Sequence, residues 1–260
     1  MGIFFPDEPD YFPDQRPTGL KRYQQVLERD WKRLIMVNLV TMFWLLPLIL
    51  GVAYAVLSSS VLVLIPVCIL GGALAGPGIA GVYDMVLRGL RDNTDDWWFS
   101  YKRALKQNFR AALVPGAVMA LFWGFFIFSC ALLWWAPGNP GLGTVLVMLV
   151  SALLVTMLFT VWWPQVVLFD QKTGIQLKNC LLFFLRYLVP TLKAAAVQII
   201  WWLLLVLFLP WSGFIVPFIG IWYIVFVSTF FIYDQLDEAF SIEERIAEVF
   251  PEQIPVYEED

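Results

Sequence analysis

Asp92, Asp95 and Asp96 fall within five residues of one another in the stretch RDNTDDWWFSYKR (residues 91–103), beside Arg91, Lys102, Arg103 and two tryptophans. Carboxylates at this spacing could ligate a metal or act as an acid/base pair. A hard divalent cation takes six or more oxygen ligands, and beyond Asn93 no nearby Glu or Asn completes such a set. The same residues also make a turn: DNTDD ends one helix and Asp95 or Asp96 caps the next through its side-chain oxygen. Trp97, Trp98 and Tyr101 would then rest in the headgroup layer, and Lys102, Arg103, Lys106 and Arg110 would face anionic phosphates. The pattern favours the turn, with the inner loops also able to seat a partner.

Other chemistry has little to stand on. The chain has no histidine, so a Ser-His-Asp or Cys-His arrangement and an imidazole metal site have no residues to build them. Cys68, Cys130 and Cys180 are scattered and odd in number, which does not read as a disulfide framework. PGNPGLG (137–143) lacks the Lys and Ser/Thr of a phosphate loop. We expect no enzyme activity, no cofactor and no nucleic-acid partner.

Two features allow a functional and a structural reading side by side. Gly72, Gly76 and Ala80 recur every fourth residue, with Pro77 and Gly78 between them. Proline removes a backbone donor, so this stretch and Pro164 predict kinks. These either free backbone groups for a substrate or make a tight packing seam. Trp201 and Trp202, with Gln165, either line a pocket that stacks on sugars or pack against helices and lipid; packing is favoured.

The elements that must position these residues come from the apolar runs. Of 260 residues, 60% are hydrophobic and 15% charged, against about 25% charged in soluble domains. Six runs (34–57, 61–83, 111–136, 142–169, 187–209 and 211–233) reach the roughly 20 residues needed to cross a hydrocarbon core of about 30 Å. They are apolar on all sides, which excludes the alternation of a β-barrel. We expect an all-α membrane protein: a six-span transmembrane helical bundle of three hairpins, Pro-kinked in spans two and four.

Charge gives the expected orientation. All 17 Lys and Arg lie before span one, between spans two and three, around the start of span five, or after span six. The other connections, SSS (58–60), PGNPG (137–141) and PWSG (210–213), are short and uncharged. Basic residues stay on the cytoplasmic side, so both termini are expected there. Asp84 and Arg88, one helical turn apart in the favourable order for a pair, are expected at the inner interface, with Asp170 and Lys193. A polar leader before a span this long does not read as a signal peptide.

Three regions follow: an arm (1–33), the spans (34–233) and an acidic tail (234–260). The arm opens on proline-rich, extended FFPDEPDYFPDQRP. It continues in an amphipathic pattern, Leu20, Tyr23, Val26, Leu27, Trp31 and Leu34, expected at the interface. In the tail Ser241 and Glu244 form a capping-box pattern ahead of Ile242, Ile246, Ala247, Val249 and Phe250, predicting a short acidic helix that docks on the basic loops. FRAALVP (109–115) and LRYLVP (185–190) are similar enough to suggest duplicated span–loop–span units, without requiring them.

The motifs NLVTMFWLLPLIL, AGPGIAGVYDMVLRGLRDNTDDWWFSYKRALKQNFRAALVP and WWPQVVLFDQKTGIQLKNCLLFFLRYLVPTLKAA, spread over roughly residues 20–230, resemble the YesL-like family of bacterial membrane proteins. That resemblance implies a bacterial cytoplasmic membrane location and an accessory role beside a carbohydrate ABC importer. The residues themselves leave open a homo-oligomer, and a small-molecule transporter or channel working through spans two and four.

Overall fold

The computed structural model describes residues 17–93, 96–138 and 140–249, the side chains of 246–249 excepted. The proline-rich arm to residue 16, Asp95, and the tail from Phe250 lie outside the described residues. So do the side chains of Ile246, Ala247 and Val249.

Among the described residues the chain is helical, without strands: α1 (Gly19–Leu57), α2 (Val61–Leu90), α3 (Trp97–Trp135), α4 (Leu142–Leu168), α5 (Thr173–Arg186), α6 (Leu188–Leu207), α7 (Ser212–Ile215), α8 (Trp222–Phe240) and α9 (Ile242–Val249). α7 continues into a π-helical turn, Val216–Gly220. α1, α2, α3, α4 and α6 are each long and apolar enough to cross a membrane. Ser212–Gly220 with Trp222–Phe240 makes a sixth span if its 51° bend is counted inside one crossing. These helices suggest a multi-pass membrane protein.

Two helices begin well before their apolar runs. α1 starts at Gly19, so the amphipathic stretch of the arm is continuous with span one. α3 starts at Trp97, where the Asp96 carboxylate accepts from the Phe99 N–H at 2.8 Å and satisfies one of the free donors of the first turn. Pro77 and Pro164 lie inside helices that run through them unbroken.

α2 holds the centre. Every residue from Ala75 to Leu90 is buried. It packs along α1 and α3 and touches α4 and α8, while α6 joins α4 to α8. The core around it includes Trp162 and Trp163 of α4, Tyr101 of α3, and Phe226 and Leu236 of α8.

Small residues allow the α2–α3 approach. A methyl on Gly76 would run into the Ala112 carbonyl oxygen, one on Gly72 into Ala120, and one on Gly116 into the Gly72 carbonyl. The glycines thus form a seam where two backbones meet, the geometry that small residues give membrane helices. Gly78 backs onto Trp44 of α1, where a Cβ would lie 2.8 Å from the Trp44 Cβ.

Candidate functional site

The sequence-predicted ionisable residues separate into a buried set and an exposed set. The buried set begins where α2 ends. Asp92 has φ +61°, the left-handed conformation that closes a helix, while its N–H donates to Gly89 O (3.2 Å) and the Asn93 N–H donates to Arg88 O (3.0 Å). These are the paired bonds of a Schellman turn.

Three arginines of α1 complete this end. Arg22 donates to both Asp92 carboxylate oxygens at 2.9 Å and to Leu90 O at 2.6 Å. Arg29 binds Asp92 as well, donates to Gly89 O at 2.6 Å, and holds Asp30 at 2.8 Å. Arg33 donates to Asn93 O at 2.9 Å and lies 3.1 Å from Asp30. Cations at a helix C-terminus satisfy its last carbonyls and oppose the negative end of its dipole. One helix here supplies them to another.

The electrostatics follow from burial and pairing. Burial alone would raise the Asp92 carboxyl, but the hydrogen bonds and charge of Arg22 and Arg29 outweigh it and hold it below the ordinary carboxylate range. For Arg29 burial pulls the guanidinium down, and Asp30 and Asp92 more than restore it, so it stays charged. Burial lowers Arg91 against the opposing pull of Tyr233, Asp84 and Glu243. Asp84 and Arg88 are joined within α2 at 2.6 Å. The Glu243 N–H donates to Asp237 at 2.8 Å and Tyr233 to the Glu243 carboxylate at 3.1 Å, which ties α9 to α8.

The exposed set is different. Lys102, Lys106 and Arg110 lie on the surface of α3, Lys193 on that of α6, and Asp170 in the α4–α5 connection. Arg103 is half-buried with its guanidinium over the Phe99 ring, and Lys102 Nζ sits 5.2 Å from the Trp98 ring centre.

Gln165 and the tryptophans go to separate places. Gln165 is fully buried and donates to Cys180 Sγ of α5 at 3.1 Å. Trp201 donates to Gly220 O at 2.9 Å and lies against Tyr223, while Trp202 is 40% exposed. Gly72, Gly76, Pro77, Gly78 and Pro164 are buried in helix contacts.

One polar residue missed by sequence reasoning is Asn38 of α1. Its amide donates to Val216 O (3.1 Å) and Pro217 O (2.6 Å), and its oxygen accepts from Ile221 N–H (3.1 Å) and Trp222 N–H (3.0 Å). It therefore bridges the bend between Ser212–Gly220 and α8. A lone Asn in an apolar run is the only local signal, and intramembrane polar residues in general call for a named partner. Asp92 as the junction of α1 and α2 was also missed. Its signal was Arg22, Arg29 and Arg33 recurring on one face of a helix.

Among the described residues no three His, Cys, Asp or Glu side chains group so as to hold a metal. Compared with family models, curated proteins and solved structures, the chain gave no match in any of the three. The resemblance of its motifs to the YesL-like family accordingly rests on those residues alone.

Proposed function

We propose that this chain is a non-enzymatic integral membrane accessory or scaffold protein of a bacterial cytoplasmic membrane. In this reading it crosses six times as three hairpins, with both termini in the cytoplasm and no cofactor. Its partner is another membrane protein. The family resemblance makes that partner a carbohydrate ABC importer, and a second copy of the chain is the other candidate.

The observation that carries the reading is the use made of buried charge. Arg22, Arg29 and Arg33 are spent on fastening α1 to the end of α2. Asp84 and Arg88 hold each other within α2. Buried ion pairs of this kind serve register and rigidity, which suits a fixed platform.

The test is purification of the tagged protein from its host in mild detergent. The reading expects importer permease or ATPase subunits in near-stoichiometric amounts, and reduced sugar uptake on deletion. A lone homogeneous species together with unchanged uptake would overturn it. Reporter fusions at each terminus check the orientation.

A transporter or channel is the second reading, and the 51° bend of span six favours it. Discontinuous helices are where many transporters bind substrate, although here Asn38 and Trp201 occupy the backbone groups around the bend. The reading expects solute flux in proteoliposomes that Asn38→Leu abolishes.

A further inference from the structure

The basic residues at the charged end do unequal work. Arg22, Arg29, Arg33, Arg88 and Arg186 each have a carboxylate partner. Lys102, Lys106 and Arg110 are exposed and make no ion pair with any described residue. From Trp97 to Arg110 the chain has no acid, and Asp96 just before this stretch is engaged at the helix cap, accepting from the Phe99 N–H.

These three cations recur every fourth residue, about 12 Å along the helix. With Leu105, Gln107 and Phe109 they line a surface concavity of about 520 Å³. Toward the span the four-residue spacing continues as Val114, 49% exposed, and Val118, 41% exposed. The stripe is cationic at one end and apolar at the other, winding slowly around α3. A soluble anion would use only the first part of it. An amphiphile uses both.

We propose that this stripe is a selective site for an anionic phospholipid, with the headgroup on Lys102, Lys106 and Arg110 and an acyl chain along Val114 and Val118. One phosphate is served by two cations a turn apart. A headgroup with two phosphates engages all three, so diphosphatidylglycerol is the preferred occupant. Trp98 beneath Lys102 keeps that ammonium at headgroup depth. The inference needs only that the helices span a bilayer, and it stands whether or not the accessory role does.

Each cation close to an anionic lipid surface contributes about five-fold, the equivalent of about 1 kcal/mol, so three together give on the order of a hundred-fold enrichment over a zwitterionic lipid. The experiment is native mass spectrometry of the delipidated full chain titrated with diphosphatidylglycerol, phosphatidylglycerol or phosphatidylcholine. Retention is expected in that order. The variant K102Q/K106Q/R110Q is expected to lose at least ten-fold in diphosphatidylglycerol retention with its helical circular dichroism unchanged. The variant K172Q/K178Q/K193Q, which removes three exposed cations elsewhere, is expected to bind as the parent does.

Equal loss in both variants would overturn the site, because general surface charge would then explain binding. Undiminished binding by K102Q/K106Q/R110Q would do so too. Displacement of the lipid by millimolar inorganic phosphate would overturn the lipid as occupant in favour of a soluble anion. Equal retention of the one- and two-phosphate lipids would overturn the preference for two.

Discussion

Replacing Asn38 by Leu keeps the side chain close to its original size and removes four polar contacts at the bend before α8. The Ile221 and Trp222 N–H groups lose their acceptor, and the Val216 and Pro217 carbonyls lose their donor, inside two otherwise apolar runs. Side-chain hydrogen bonds between membrane helices average about 0.6 kcal/mol, which puts the four at about 2.4 kcal/mol. A buried donor left without any acceptor costs about 1–3 kcal/mol, so the two N–H groups alone bring about 2–6 kcal/mol. The expected loss for Asn38→Leu is therefore about 2–6 kcal/mol, read from equilibrium unfolding in mixed micelles. Trp201→Phe removes one bond, to the Gly220 carbonyl, and should cost about 0.6 kcal/mol. An Asn38→Leu protein within about 0.5 kcal/mol of the parent, inside the spread of an ordinary surface change, would refute the idea that the bend depends on this side chain.

Asp92→Asn should destabilise by about 3 kcal/mol at neutral pH, since it breaks a buried pair while Arg22 and Arg29 stay in place. The Asp92 carboxyl titrates below its ordinary value, so its contribution is fully present above about pH 3.9 and is lost as pH falls through the lower, folded value. Parent and variant should therefore converge in stability only in strong acid, as unfolding midpoints across pH 2–7 would reveal. Gly76→Val should cost about 1–3 kcal/mol or more through its collision with the Ala112 carbonyl, and Gly174→Val, where a Cβ has open space around it, should not. Burial pushes the Cys180 thiol up to about 12 despite the Gln165 amide, so a maleimide at pH 7.5 should leave it unmodified in the folded protein and label it after denaturation.

Much of the helical layout was legible because apolar runs of this length have few other uses. The end of α1 at Leu57, the start of α2 at Val61 and the start of α4 at Leu142 match the runs. The Asp84–Arg88 pair followed from one-turn spacing and the Asp96 cap from its place before an apolar stretch. The apolar criterion could not see that α1 and α3 begin well before their runs, because those extra turns are polar on one side. Pro77–Gly78 and Pro217–Gly220 look alike locally. The second precedes a 51° bend between two helical parts, where the surrounding backbone groups are taken by a side chain from a distant helix. That side chain is Asn38, which donates to the Pro217 carbonyl from 179 residues earlier in the chain. Nothing at short range encodes it. The role of Asp92 was hidden in the same way: its carboxylate looks like a turn residue until α1 is laid beside it.

The separation in sequence of these two fastenings also bears on how the chain is made. The Arg22–Asp92 contact spans 70 residues and joins consecutive helices, so it can form while most of the protein is still on the ribosome. α3 follows directly and packs on the same pair. Asn38 has to wait for Ile221 and Trp222, 183 and 184 residues downstream. Because synthesis is slow compared with helix docking, the early helices can settle long before their last ligand arrives. During that interval the Asn38 amide is without the four backbone partners it has in the finished fold. A nascent chain stalled before α8 would still expose that amide, and a finished one would have covered it.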